Sequence, residues 1–229
     1  MAVKVLIIGE SGSGKSASLR NFEANEVAIF NVSEKPMPFK KKLPMMKTSN
    51  MKMIAEAIKQ NDRNCYVVDD AGLAMTFYLF GKVNDKGYEK FTQVAKDFYD
   101  MVQSVDSCSD DTIVYFTMHM DRSDDGSKIK AKTAGKMIDS QLTLESLFTI
   151  VLYCVTDGKS HRFVTQSDGV TTAKSPMGMF PVEMDNDLKA VDTAIREYYG
   201  LAPLGTPVKK EKKQNGKVET SDRIPTGGE

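Results

Sequence analysis

Residues 3–16 read VKVLIIGESGSGKS, and this stretch decides the fold. Residues 3–8 are a continuous apolar run rich in Val and Ile, the pattern of a strand buried on both faces. Gly9, Glu10, Ser11, Gly12, Ser13, Gly14, Lys15 and Ser16 follow at once and match the phosphate-binding pattern G-x-x-x-x-G-K-S/T. Ala17, Ser18 and Leu19 then open a predicted helix. Glycines let backbone N–H groups turn inward around phosphate oxygens, and a helix N-terminus adds partial positive charge. Gly9, Ser11, Gly12, Ser13, Gly14, Lys15, Ser16 and Ala17 are therefore the predicted nucleotide-binding residues, with ATP as the ligand. In this reading Lys15 reaches the β- and γ-phosphates, and the Ser16 hydroxyl ligates Mg2+. A Gly/Ser-rich loop matches by accident in roughly one chain in a hundred of this length. The strand before it and the helix after it lower that figure further.

Outward from the loop, short apolar runs recur at residues 27–32, 65–68, 112–117 and 148–154. Helical periods lie between them. Residues 51–60 set Met51, Ile54, Ala55 and Ile58 on one stripe, and residues 91–105 do the same from Phe91 to Val105. Strand alternating with helix predicts an α/β fold, an open and mostly parallel sheet flanked by helices. Residues 148–154 and 161–166 are separated by TDGK at 156–159, a hairpin signal, so the late part of the sheet is expected to be antiparallel.

Hydrolysis needs a second acid at the end of another buried strand, and CYVVDD at residues 65–70 supplies it in the Walker B pattern. Asp69 directly ends the run and is the metal candidate. Asp70 either positions water or caps the following helix. Glu34 follows the second strand and is a candidate to polarise the attacking water. His119, read as ending a strand over residues 112–118, is placed to sense the γ-phosphate. His161, on the late hairpin, receives only a structural reading.

Composition narrows the partners. Lys plus Arg minus Asp plus Glu is 31 − 31 = 0, which excludes a histone-like polycation coating nucleic acid uniformly. The 41% hydrophobic and 27% charged composition is that of a soluble globular chain. No run approaches the roughly 18 apolar residues of a membrane span. Cys65, Cys108 and Cys154 lack metal-ligand spacing and read as reduced thiols, so a cytoplasmic location is expected. Residues 203–229 carry few apolar side chains and four clustered lysines, and read as a disordered charged tail behind a domain over residues 1–202. Residues 35–47 hold five lysines and no acid, with Phe39 as a candidate stacking residue.

The order of parts resembles a stripped RecA-like core ATPase: loop first, Glu34 after strand two, Asp69 and Asp70 after strand three, then a strand ending in His119. NVSEKPMPFK (31–40), LESLFTIVLY (144–153) and DGVTTAKSPMGMF (168–180) look more closely like the compact phage-encoded P-loop ATPases that accompany single-strand annealing and recombination. The resemblance covers roughly residues 3–200 and implies a RecA-like core acting on single-stranded DNA in the cytoplasm of a bacterial host. It implies two DNA-facing loops, residues 81–89 with Lys82 and Lys86, and residues 120–136 with Arg122, Lys128, Lys130, Lys132 and Lys136. The second loop is expected to order only when a partner binds. Alternation of Lys128, Lys130 and Lys132 in an extended segment puts them on one side, along a phosphate backbone. The resemblance further implies a homo-oligomer whose site is completed across subunits by Lys174, with Arg162 as runner-up, and a single-strand-binding or annealing protein as partner.

Two other classes share the loop. A nucleoside monophosphate kinase fits the size, but those enzymes carry an arginine-rich lid, and here the corresponding loop is rich in lysine. A nucleotide-dependent adaptor or loader that does not hydrolyse also remains open, because Glu34 is the weakest of the catalytic assignments.

Overall fold

Each apolar run supplies a strand to one sheet in the computed structural model, which describes residues 1–123, 125–134 and 143–208. In chain order the described strands are β1 (Val3–Gly9), β2 (Ala28–Asn31), β3 (Met45–Lys47), β4 (Cys65–Asp69), β5 (Ile113–Arg122), β6 (Ile129–Ala131), β7 (Ile150–Thr156), β8 (His161–Val164) and β9 (Glu183–Asp185). The described helices are α1 (Met51–Gln60), α2 (Ala71–Gly81), α3 (Glu89–Gln103) and α4 (Leu188–Tyr199). The sheet runs β3-β2-β4-β5-β1-β7-β8-β9, with β6 paired to β5. From β3 to β7 every neighbouring pair is parallel, while β7–β8 and β8–β9 are antiparallel. This is the mostly parallel α/β sheet with a late antiparallel pair that the sequence predicts.

Both faces of the sheet are covered, which is why its strands read as unbroken apolar runs. From β1, Leu6 and Ile8 enter one core with Ile54 of α1, Ala74 of α2 and Phe98 and Met101 of α3. Val5 and Ile7 enter the opposite core with Leu19, Phe22 and α4 residues Leu188, Val191 and Ile195. A buried ion pair, Arg196 with Asp192, fixes α4 to the sheet. The Tyr115 hydroxyl donates to Asp192 at 2.9 Å, and Arg196 donates to the carbonyls of Asn64, Asp111 and Ala202 at 2.7, 3.0 and 2.7 Å. These carbonyls precede β4 and β5 or follow α4, at the end of the sheet opposite the glycine loop.

The structure differs from the sequence reading at four places. The helix expected after the loop is a six-residue 3-10 helix, Ser16–Asn21, because Phe22 turns to an extended conformation to bury its ring. Strand β5 does not stop at residue 118 but runs to Arg122, since β6 returns beside it with Met120, Asp121 and Arg122 opposite Ala131, Lys130 and Ile129. The loop expected to order only when a partner binds thus has residues 120–122 and 129–131 paired as a hairpin in the chain alone, with Ile129 and Ala131 buried. Strand β3 and helix α4 escaped the reading, although α4 carries the stripe Leu188, Val191, Ile195 and begins at Asp187, whose carboxylate accepts from the N–H groups of Lys189 and Ala190. Finally, Asn64 donates to the Pro203 carbonyl at 2.9 Å and accepts from the Gly205 N–H at 3.0 Å, so ordered contacts continue past residue 202. The rest of the predicted tail, residues 209–229, lies outside the described residues, as do Asp124 and Lys136. No described helix is long and apolar enough to cross a membrane.

Candidate functional site

The glycine loop leaves the carboxyl end of β1, where Gly9 pairs with His119 of β5 on one side and Cys154 of β7 on the other. Only glycine fits at position 9: a Cβ there would lie 2.5 Å from the Cys154 carbonyl oxygen and 2.6 Å from Ser13 Oγ. Gly14 has φ +103, a backbone region that disfavours any side chain. Lys15 is buried, and its ammonium donates to the carbonyls of Gly9 at 2.9 Å and Glu10 at 2.7 Å. Burial lowers its pKa, against the opposing charge of Asp70.

Across the cleft, Ser16 Oγ donates to the Asp69 carboxylate at 2.8 Å, which brings the loop serine and the end of β4 together as the two motifs require. Thr117 of β5 donates to Asp69 at 2.8 Å and accepts the Asp70 N–H at 2.8 Å. Burial, then the charge of Asp70, raises the Asp69 pKa to about 6, while the Ser16 and Thr117 hydrogen bonds oppose the rise. Asp70 stands at the N-cap of α2 with φ 59, yet its side chain makes no capping hydrogen bond. Its Oδ1 instead lies 3.6 Å from His119 Nε2. Burial and then Lys15 lower the His119 pKa, favouring the neutral ring.

These groups line a cleft of about 390 Å³ whose other wall is formed by Ser33, Lys35, Pro36, Met37 and Pro38, with His161 at its rim. The donor set suits Mg2+. Among the described residues no three His, Cys, Asp or Glu gather to hold a metal alone. Ser16 and Asp69 offer a hydroxyl and one carboxylate, the sparse protein contribution Mg2+ takes when phosphates and water complete its octahedron.

Other predicted residues lie apart from this centre. Glu34 is exposed at φ 58, and it is its neighbours Ser33 and Lys35 that face the cleft. Lys174 is exposed and bridges Val151 of β7, three residues before Cys154 and so about 10 Å along the strand from the loop. Arg162 is ion-paired with Asp157 at 3.3 Å and Glu183 at 3.1 Å. In the hairpin, Lys128 and Lys132 are exposed and Lys130 is half-buried opposite Asp121, and the three alternate with buried Ile129 and Ala131. Arg122 is exposed opposite Ile129. Lys132 follows β6 beside the start of α2, its carbonyl 3.2 Å from where a Gly72 Cβ would stand. Lys82, paired with Asp85 at 3.0 Å, and exposed Lys86 lie beyond the other end of α2, about 15 Å away. The two basic loops are therefore not adjoining.

His161, read only as structural, touches the loop directly: its Nδ1 lies 2.9 Å from the Ser13 carbonyl oxygen. Cys154 Sγ donates to the same oxygen at 3.1 Å and accepts from Asn186 at 3.3 Å. The available signal was the hairpin itself, since a strand paired with β7 beside β1 starts level with the loop.

The family model AAA_24, described as an AAA domain, matches residues 1–177 of the 229. No curated protein matches the chain.

Proposed function

The chain belongs to the AAA domain family and is a nucleotide-binding P-loop ATPase in type; from that premise we propose that it is a magnesium-dependent ATPase acting on single-stranded DNA in phage recombination or replication, of the annealing or strand-exchange type. The observation that carries the reading is the Ser16–Asp69 contact beneath the glycine loop, with the Asp70–His119 pair beside it. Lys15 exchanges its loop carbonyls for the β- and γ-phosphate oxygens of ATP. Ser16 and Asp69 hold Mg2+, which when bound neutralises charge on the phosphate oxygens. Asp70 orients the attacking water, and neutral His119 donates toward the γ-phosphate and carries its presence into β5. Glu34, facing solvent beside the cleft, takes a direct part only if residues 33–35 turn inward.

Single-stranded DNA is read by the alternating lysines of the β5–β6 hairpin, with further basic groups at Arg122 on the hairpin's other face and at Lys82 and Lys86 on a separate surface. Lys174 supplies positive charge to the site of a neighbouring subunit; its bridge to Val151 of β7 leaves it exposed and outside the lining of its own cleft. A single-strand-binding or annealing protein is the expected partner in a bacterial cytoplasm. The test is ATP hydrolysis against magnesium, with and without single-stranded DNA and with nucleoside monophosphates as acceptors. Turnover stimulated by DNA is expected. Phosphate transfer to an acceptor would make the protein a kinase, and tight ATP binding without turnover would make it an adaptor.

A further inference from the structure

We propose that His161 is a positioning residue of the nucleotide site: its Nδ1–H holds the Ser13 carbonyl outward, so that the Gly14 N–H of the same peptide faces the bound phosphate. A carbonyl oxygen can only accept, so the 2.9 Å contact requires the proton on Nδ1. The 13–14 peptide is trans, and in a trans peptide C=O and N–H point in opposite directions. Anchoring the Ser13 oxygen to β7 and β8, through Cys154 as well as His161, therefore turns the Gly14 N–H to the concave side of the loop. Phosphate-binding loops need that orientation before the ligand arrives, because each peptide left to rotate must be ordered at the expense of binding.

Glycine at position 14 serves the same arrangement. A Cβ there would stand 3.0 Å from His161 Nδ1, 3.1 Å from its Cγ and 3.2 Å from Asn186 Nδ2. The ring thus packs directly on the loop backbone, in a space that only a residue without a side chain leaves open. His161 also lines the cleft. With Nδ1 committed to Ser13, the remaining ring nitrogen, Nε2, carries a lone pair in the neutral ring and is available to accept from a ribose hydroxyl or an exocyclic amine of the nucleotide.

The tautomer makes the idea testable by isosteres. The amide nitrogen of Asn reaches where Nδ1 sits, whereas that of Gln reaches where Nε2 sits. Fluorescent ADP titrated into wild type, H161A, H161N and H161Q reads affinity without turnover. Loss of one neutral hydrogen bond predicts a rise of about three- to tenfold in Kd for H161A, and a KM for ATP that rises with it. H161N is expected to recover most of that loss and H161Q little of it. Wild-type affinity in H161A, or equal affinities in H161N and H161Q, overturns the proposal. Should H161A not fold, the comparison of H161N with H161Q decides by itself, since both keep a polar side chain at this exposed position.

Discussion

Asp69 carries the electrostatic tension of the site. Its carboxylate is almost wholly buried beside a second carboxylate, and its pKa of about 6 lies above the ordinary value of 3.8. A carboxyl whose pKa rises on folding binds more protons folded than unfolded between those two values, so its contribution to stability declines as pH climbs from about 4 through 6. In the metal-free protein D69N removes that charge while keeping an oxygen to accept from Thr117. We expect D69N to melt about 2–4 °C above wild type at pH 7.5, the shift that roughly 1 kcal/mol makes in a domain of this size. The gap should close at pH 5, where Asp69 is itself protonated. Differential scanning calorimetry at the two pH values checks this, and a gap independent of pH would remove the electrostatic explanation. Its neighbour Asp70 pays for its place differently, with φ 59 in a non-glycine residue, a strained backbone of the kind that collects at functional sites.

At the scale of elements, the β5–β6 hairpin shows what the sequence conveys and what it hides. The alternation of Lys128, Lys130 and Lys132 with Ile129 and Ala131 was legible as a one-sided basic edge, but Gly126 and the flanking acids read as an open loop. Pairing of Met120, Asp121 and Arg122 with residues 129–131 closes a hairpin without the two-residue Asn-Gly or Asp-Gly turn flanked by alternating apolar residues that would have announced it. For His161 the residue type is visible, but its approach to Ser13 exists only once β7 lies beside β1. By contrast β1, β4, α1 and the loop were legible because burial on both sheet faces, helical periodicity and glycine spacing are all local. For the hairpin, changing Lys128, Lys130 and Lys132 together to Gln should weaken single-stranded DNA binding and flatten the slope of log affinity against log salt by about 2, at roughly 0.7 for each phosphate no longer neutralised. Fluorescence anisotropy over a salt series measures it. An unchanged slope would move the DNA path elsewhere.

At the scale of the molecule, the sheet separates two ends with different tasks. One end is tied by Arg196 and Asp192 to carbonyls around β4, β5 and α4 and serves stability. The other gathers Gly9, Asp69, His119 and Cys154 at the ends of adjacent parallel strands, where open α/β sheets bind their ligands. Lys174, away from its own cleft, predicts that subunits complete one another. A mixture of K174A with D69N should hydrolyse more ATP than the sum of the two variants assayed separately, because the D69N subunit can lend its intact Lys174. Strict additivity would place the missing charge within the subunit. The chemistry assigned to the cleft, with His161 and Lys174, depends on residues 9–16 holding nucleotide, and equilibrium binding of ATP with magnesium to wild type and K15A decides that. Binding by wild type that is lost in K15A is the expected result, and K15A that keeps wild-type affinity would contradict the assignment of the loop.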